Sequence, residues 1–229
     1  MIYANCLKRV LDFMLALFAL IVLSPVLLAL TAVGAVAMGG NPFFTQDRPG
    51  KNERIFKLVK FRTMTNKKDK NGKLLPDDKR LTRYGRILRQ TSLDELPELF
   101  NILIGDMSIV GPRPLIPEYL PYYTKKERLR HSVRPGLTGL AQVNGRSFLT
   151  WEEIFAYDVQ YAKHITLAGD IRIIIQTAEK VLKHKDIADT TGSFVDESGH
   201  HHIMVDGTEK VLHQRLDVER SQHAAGDRK

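Results

Sequence analysis

The chain has 229 residues, 43% of them hydrophobic, and carries 34 Lys/Arg against 26 Asp/Glu. This balance excludes a disordered or collagen-like polypeptide and allows one compact domain with appendages. The single cysteine, Cys6, cannot pair within the chain, which excludes an intrachain disulfide framework and fits a reducing, cytoplasmic setting.

Lys8 and Arg9 precede a stretch from Phe13 to Met38 that holds 26 residues without a charge, longer than the roughly 20 needed to cross a bilayer as a helix. A cleaved signal peptide is a rival reading, since Ala35-Val36-Ala37 resembles a cleavage site. The apolar run is much longer than the usual core of such a peptide, about 7–15 residues. Ser24-Pro25 lies near the middle, and proline removes a backbone hydrogen bond and clashes with the preceding turn, so the helix is expected to bend there. Ser24 is placed to satisfy a carbonyl that the proline frees. Each half is about 17–20 Å long at 1.5 Å per residue, too short to cross a hydrocarbon core of about 30 Å alone. Basic residues flank both ends, Lys8 and Arg9 before, Arg48, Lys51, Arg54 and Lys57 after. A re-entrant hairpin keeps both flanks on the cytoplasmic side, whereas a kinked spanning helix places one outside; both remain open on physical grounds.

Residues 47–89 hold 15 Lys/Arg and 5 Asp/Glu, so the rest of the chain is slightly acidic. The block follows the apolar segment directly, which favours anionic membrane lipids as its partner over nucleic acid or a merely solvated surface. Phe43-Phe44, just before the block, and Ile55–Phe61 within it read as a short strand or an interfacial stretch, and Lys67–Lys79 as a polar loop. Leu81–Gln90 has helical spacing, with Arg80, Arg83, Arg86 and Arg89 forming a basic stripe.

Ser92 followed by Glu95 predicts a capping box, with Leu96, Leu99, Phe100 and Leu103 as a buried stripe behind it; Pro97 blurs the helix start. Thr150 and Glu153 predict a second capping box, opening a helix to about Tyr161. Asp170–Leu182 reads as a further helix with Ile171, Ile174, Ile175, Ala178 and Leu182 inward. Beyond about Asp186 the chain turns polar, and His200, His201 and His202 read as part of a solvated tail. The division expected is 1–40, a membrane helix region; 41–185, a catalytic domain; and 186–229, a polar extension. The fold class expected is α-rich α+β.

Asp94-Glu95 at a helix start suits anionic chemistry, because the helix dipole and free N–H groups hold carboxylates and phosphates, although acidic residues there are also ordinary caps. Arg89 lies one turn upstream, and Arg113 is fixed between Pro112 and Pro114, which leaves its backbone little entropy to lose. Arg134-Pro135-Gly136 through Gly145-Arg146 adds a turn-rich segment ending in another arginine suited to phosphate. Asp170 is a cap or a magnesium ligand.

Together with Lys8-Arg9 and Asp12, Ser24-Pro25, Lys60-Phe61-Arg62-Thr63-Met64, Thr82-Arg83-Tyr84-Gly85, Leu88-Arg89, Ser92–Pro97, Gly105–Ser108, Val110–Pro114 and Arg134–Gly139, these residues resemble the small monotopic phosphoglycosyl transferases. That family includes the undecaprenyl-phosphate phosphosugar transferases that initiate bacterial glycan assembly. The resemblance covers about residues 5–185 and implies a re-entrant helix broken at Ser24-Pro25, with the catalytic domain on the cytoplasmic face of the bacterial inner membrane. It implies Asp94 as nucleophile, Glu95 as magnesium ligand with Asp170 near the same ion, and Lys60, Arg62, Arg89, Arg113 and Arg146 at phosphate- or nucleotide-contacting positions. It further implies Mg2+ as cofactor and a UDP-sugar and polyprenyl phosphate as substrates; no nucleic-acid partner is expected, and a homodimer is an open alternative to a monomer. A glycosyltransferase releasing UDP and a non-enzymatic membrane scaffold are the competing functions.

Overall fold

A computed structural model of the chain describes residues 3–145, 149–182 and the strand segments Ser193–Val195, His201–Val205 and Thr208–Val211. A π-helical turn, Tyr3–Leu7, leads into α1 (Lys8–Val22), and α2 (Ser24–Met38) follows after a 65° bend. Pro25 has no N–H for the Ile21 carbonyl one turn back, and Ser24 Oγ donates to that carbonyl at 2.8 Å, which stabilises the break. No single helix among the described residues is long and apolar enough to cross a membrane, whereas the bent pair meets that test together.

α1 turns one face to the protein, burying Lys8, Asp12, Ala16 and Leu20 at four-residue spacing, the periodicity that keeps side chains in one row. Its other faces expose Phe13, Met14, Leu15, Phe18, Ile21 and Val22, and α2 exposes Val26, Leu28, Val33 and Val36 while burying only Gly34. A contiguous apolar surface of this kind calls for lipid or a partner. Tyr84 OH donates to the Leu30 carbonyl at 2.8 Å, fastening α2 to the body.

In the body, β1 (Phe43–Pro49) and β2 (Ile55–Phe61) form an antiparallel hairpin in register Phe43↔Phe61 to Pro49↔Ile55. After a short helix α3 (Asp77–Arg80) comes α4 (Arg83–Thr91), whose N-cap Thr82 accepts from the Gly85 amide at 2.9 Å. A Cβ on Gly85 would collide with the Thr63 carbonyl oxygen, so glycine permits this close crossing of α4 over the exit of β2. α5 (Glu98–Ile104) precedes β3 (Ser108–Val110), which pairs in parallel with β4 (Gly136–Thr138). α6 (Leu140–Asn144), α7 (Trp151–Lys163) and α8 (Leu167–Leu182) complete the body. Its main core joins Ala16 and Leu20 of α1 to Phe56 and Leu58 of β2, Leu99 and Ile102 of α5, and Met107. The strand segments of the extension, β5 (Ser193–Val195), β6 (His201–Val205) and β7 (Thr208–Val211), form an antiparallel sheet in that order.

This helix-rich α+β architecture agrees with the expected class, and the Thr150/Glu153 capping box is present in full. Several local expectations are corrected. Ser92 has φ 56° and ends α4 in the left-handed region; it makes no side-chain cap, and α5 starts only at Glu98. The Glu95 side chain reaches cations instead of the Ser92 backbone, because a charge-assisted bond to a half-buried lysine or arginine is stronger than one to a neutral amide. Phe100 is exposed, while Leu99 and Ile102 are buried. On α8 the predicted inward residues Ile171, Ile174, Ile175 and Ala178 face outward, and Asp170 and Ile173 are the buried ones. The Leu182 side chain lies outside the described residues. The buried side of α8 follows Asp170, whose carboxylate has partners only in the interior. The extension also departs from a plain polar tail, since part of it pairs as strands.

Candidate active site

Strand alternation puts Lys60 on the same face of β2 as buried Phe56 and Leu58, so its ammonium points toward α5. Asn101 of α5 fixes that approach: its Oδ1 accepts from the Val59 amide at 3.0 Å and its Nδ2 donates to the Lys57 carbonyl at 2.8 Å. Lys60 Nζ then meets Glu95 Oε1 at 2.8 Å and Glu98 Oε1 at 3.0 Å. Glu95 belongs to the single 3-10 turn Leu93–Glu95 between α4 and α5, and its Oε1 also accepts from Arg113 Nη2 at 2.8 Å. Arg113 keeps 43% of its side chain accessible, so the guanidinium can also meet a ligand from solvent.

The electrostatics separate three carboxylates within one turn of each other. Burial alone would raise Glu95, but Arg113 and Lys60 override it and hold the carboxyl well below the usual carboxylate range. Burial pushes Glu98 up to about 7, against the pull of Lys60. Asp94 is pushed up to about 6, first by burial and then by the neighbouring Glu95 charge, with Lys60, Arg113 and Arg89 opposing the shift. Glu95 in turn raises Arg113. The result is a fixed anion, Glu95, clamped by two cations beside a carboxylate, Asp94, that none of those cations bonds directly among the described residues. A buried carboxylate left unneutralised by a direct partner is a good nucleophile or general base near neutral pH.

Of the residues singled out in the sequence, Lys60, Asp94, Glu95 and Arg113 converge here, and Arg89 contributes its field to Asp94 while its Nε donates to Thr63 Oγ1 at 3.2 Å. Arg62 follows β2, two residues beyond Lys60 and half-buried. Arg146 lies outside the described residues. Asp170 has other partners: its Oδ2 accepts from Tyr3 OH at 2.6 Å and Lys8 Nζ at 2.8 Å, and its Oδ1 accepts from Tyr161 OH at 2.8 Å. Both carboxylate oxygens are thus engaged in a buried network that also includes Asp12, and its partners are not those of Glu95. Lys8 and Arg9, the basic residues that precede the apolar segment, are likewise committed to the protein, Arg9 donating to the Ile102 and Leu103 carbonyls at the end of α5. Glu98 was missed although it lies one turn after Glu95. Arg48, in sequence a charge flanking the membrane segment, is partly buried, and burial and the nearby Arg113 push its guanidinium down to about 10.

Residues 3–184 match the bacterial sugar transferase family. The chain is 47% identical over 184 residues to the sugar transferase EpsL of Bacillus subtilis, covering 80% of this chain and 91% of that protein. It is 37% identical over 191 residues to the exopolysaccharide production protein ExoY of Sinorhizobium fredii, covering 76% and 84%. It is 41% identical over 189 residues to the UDP-glucose:undecaprenyl-phosphate glucose-1-phosphate transferase of Xanthomonas campestris, covering 78% of this chain and 39% of that longer protein. The cluster of Lys60, Asp94, Glu95 and Arg113 lies wholly within the matched residues, and the chain belongs to the bacterial sugar transferase family.

Proposed function

We propose that this enzyme transfers a phosphosugar from a UDP-sugar to polyprenyl phosphate, releasing UMP, through a covalent aspartyl intermediate on Asp94. The observation that carries the reading is the arrangement in which Lys60 and Arg113 both bond Glu95 Oε1 at 2.8 Å, beside an Asp94 that neither cation bonds among the described residues. Two relatives support the substrate class by name, the Xanthomonas protein above and the undecaprenyl-phosphate galactose phosphotransferase of Salmonella typhimurium, 36% identical over 194 residues.

In this mechanism an oxygen of Asp94 attacks the phosphorus next to the sugar, the bond from that phosphorus to the bridging oxygen breaks, and UMP leaves with the electron pair. An oxygen of polyprenyl phosphate then attacks the same phosphorus and frees Asp94. A carboxylate nucleophile divides one displacement into two easier ones. Lys60, Arg89 and Arg113 offset the negative charge of the approaching diphosphate, which would otherwise repel a carboxylate.

The residues fit a hard divalent cation. Glu95 spends Oε1 on Lys60 and Arg113 and, among the described residues, leaves Oε2 for another ligand. Among the described residues no group of three His, Cys, Asp or Glu forms a ready-made metal site, so substrate phosphates and water would complete the shell, as is usual for magnesium. Held by Glu95, Mg2+ would neutralise charge on the transferring phosphate while the Asp94 oxygens stay free to attack. Asp170 is left out of this set, because its oxygens already serve Tyr3, Lys8 and Tyr161.

The bent α1–α2 pair is read as a re-entrant hairpin inserted from the cytoplasmic face of the bacterial inner membrane, which brings a soluble sugar nucleotide and a lipid-borne acceptor to one site. The test is the nucleotide product. Full-length enzyme is incubated with each of a panel of UDP-sugars and undecaprenyl phosphate, and UMP is expected. UDP with a glycolipid product would instead support a glycosyltransferase, and lipid binding without turnover a scaffold.

A further inference from the structure

We infer that Arg130, fixed by Asp158, and Arg48 are positioning residues that hold the Pro112-Arg113-Pro114 backbone so that the Arg113 guanidinium meets Glu95; this rests on the function proposed above. The loop has an unusual problem of attachment. Pro112 and Pro114 carry no N–H, so their backbones can be tied only through carbonyl oxygens. All three carbonyls of the tripeptide are taken. The Gly136 amide donates to Pro112 O at 3.0 Å, Arg130 Nη2 to Arg113 O at 2.7 Å, and Arg48 Nη1 to Pro114 O at 3.1 Å.

Arg130 is suited to this work because it is itself immobilised. Its side chain is 1% accessible, its Nε and Nη2 donate to Asp158 Oδ2 at 3.0 and 2.7 Å, and its Nη1 donates to Tyr123 OH at 3.2 Å. Its Cζ lies 5.6 Å from the ring centroids of both Tyr123 and Phe155. Asp158 is on α7, so the contact connects the interior of the body to the loop. A buried ion pair of this kind is weak evidence of added stability over an apolar pair. What an apolar pair could not do is donate to the Arg113 carbonyl. Lysine could not either while also serving Asp158 and Tyr123, since its donors spring from one nitrogen whereas the guanidinium spreads five over a rigid fork. From the Arg113 carbonyl the chain of contacts continues along that residue to Glu95 Oε1 at 2.8 Å.

The experiment is a double-mutant cycle on UMP release by the full-length enzyme. Arg130→Lys is expected to lower kcat about tenfold or more, as misplacing a site group by about 1 Å does. In an Arg113→Ala background the same change is expected to alter kcat less than about twofold, because the group it positions is gone. An unchanged kcat in Arg130→Lys, or an equal loss in both backgrounds, overturns the inference, since a merely structural defect would lower both alike. Arg48→Lys, which removes a fork nearer the surface, runs through the same cycle and decides the matter if Arg130→Lys does not fold. A crystal structure of the lysine variant that folds supplies a readout independent of turnover. Loss of the contact between Arg113 and Glu95 is expected, and its retention contradicts the inference. If the wild type releases no UMP from any UDP-sugar, the proposed function fails, and that crystal structure alone decides the positioning.

Discussion

Acidification should slow the first half-reaction far more than an ordinary aspartate would allow. The nucleophile must be ionised, and Asp94 is held at about 6. A carboxyl titrating there is roughly 90% ionised at pH 7 and roughly 10% at pH 5, so kcat/KM for the UDP-sugar should fall about tenfold over that interval. An aspartate at its ordinary value would lose less than about 10% over the same range. The sign follows from the environment: burial and the Glu95 charge disfavour the anion, so protons bind at higher pH than usual. Working with kcat/KM for the sugar nucleotide isolates this step, because the diphosphate of the substrate stays ionised throughout, whereas the acceptor phosphate does not enter. Lys60 is among the groups that pull Asp94 down, so Lys60→Met should move the acid limb to higher pH. A profile flat between pH 7 and pH 5, or a limb that moves to lower pH in Lys60→Met, would refute the electrostatic account of the site.

Three further outcomes are expected. Asn101→Leu leaves the Val59 amide and the Lys57 carbonyl without their buried partner, so unfolding by urea should show a loss of about 2–5 kcal/mol; a loss below about 0.5 kcal/mol would mean that water replaces the amide. With Cys6 replaced, reporter cysteines at Asn5 and Asn66 should both label only from the cytoplasmic side, and periplasmic labelling of Asn5→Cys alone would rule out the re-entrant hairpin. Truncation after Lys185 should keep most turnover, because the strand segments of the extension pair with one another and lie beyond the family match; lost turnover with unchanged thermal stability would assign them a part in the reaction.

The residues that were legible in the sequence are those whose chemistry is local. Ser24-Pro25 marks its own break because the missing N–H and the hydroxyl that compensates are neighbours, and Thr150 with Glu153 forms its cap within four residues. Arg113 stood out because two prolines flank it. What was not legible depends on partners far along the chain. Glu95 looked like a capping residue until Lys60 and Arg113 supplied stronger partners. Periodicity does not settle the inward face of α8, because four isoleucines at 171 and 173–175 allow several stripes, and the choice among them falls to Asp170, whose partners Tyr3 and Lys8 are more than 160 residues away. The same distance hid the reason for Asp170 itself, a carboxylate that ties α8 to the start of α1. Arg130 and Asp158 carried no motif, and only the fold brings them to the Arg113 carbonyl.

The central claim is a bond between Asp94 and phosphorus, and it is tested most directly by trapping. Enzyme incubated with a UDP-sugar it turns over and magnesium, without polyprenyl phosphate, is quenched rapidly and its intact mass measured. One added phosphosugar is predicted, mapped to the peptide containing Asp94, stoichiometric with released UMP and absent in Asp94→Asn. An enzyme that turns over yet never carries the adduct, or that carries it on a different residue, would contradict the account.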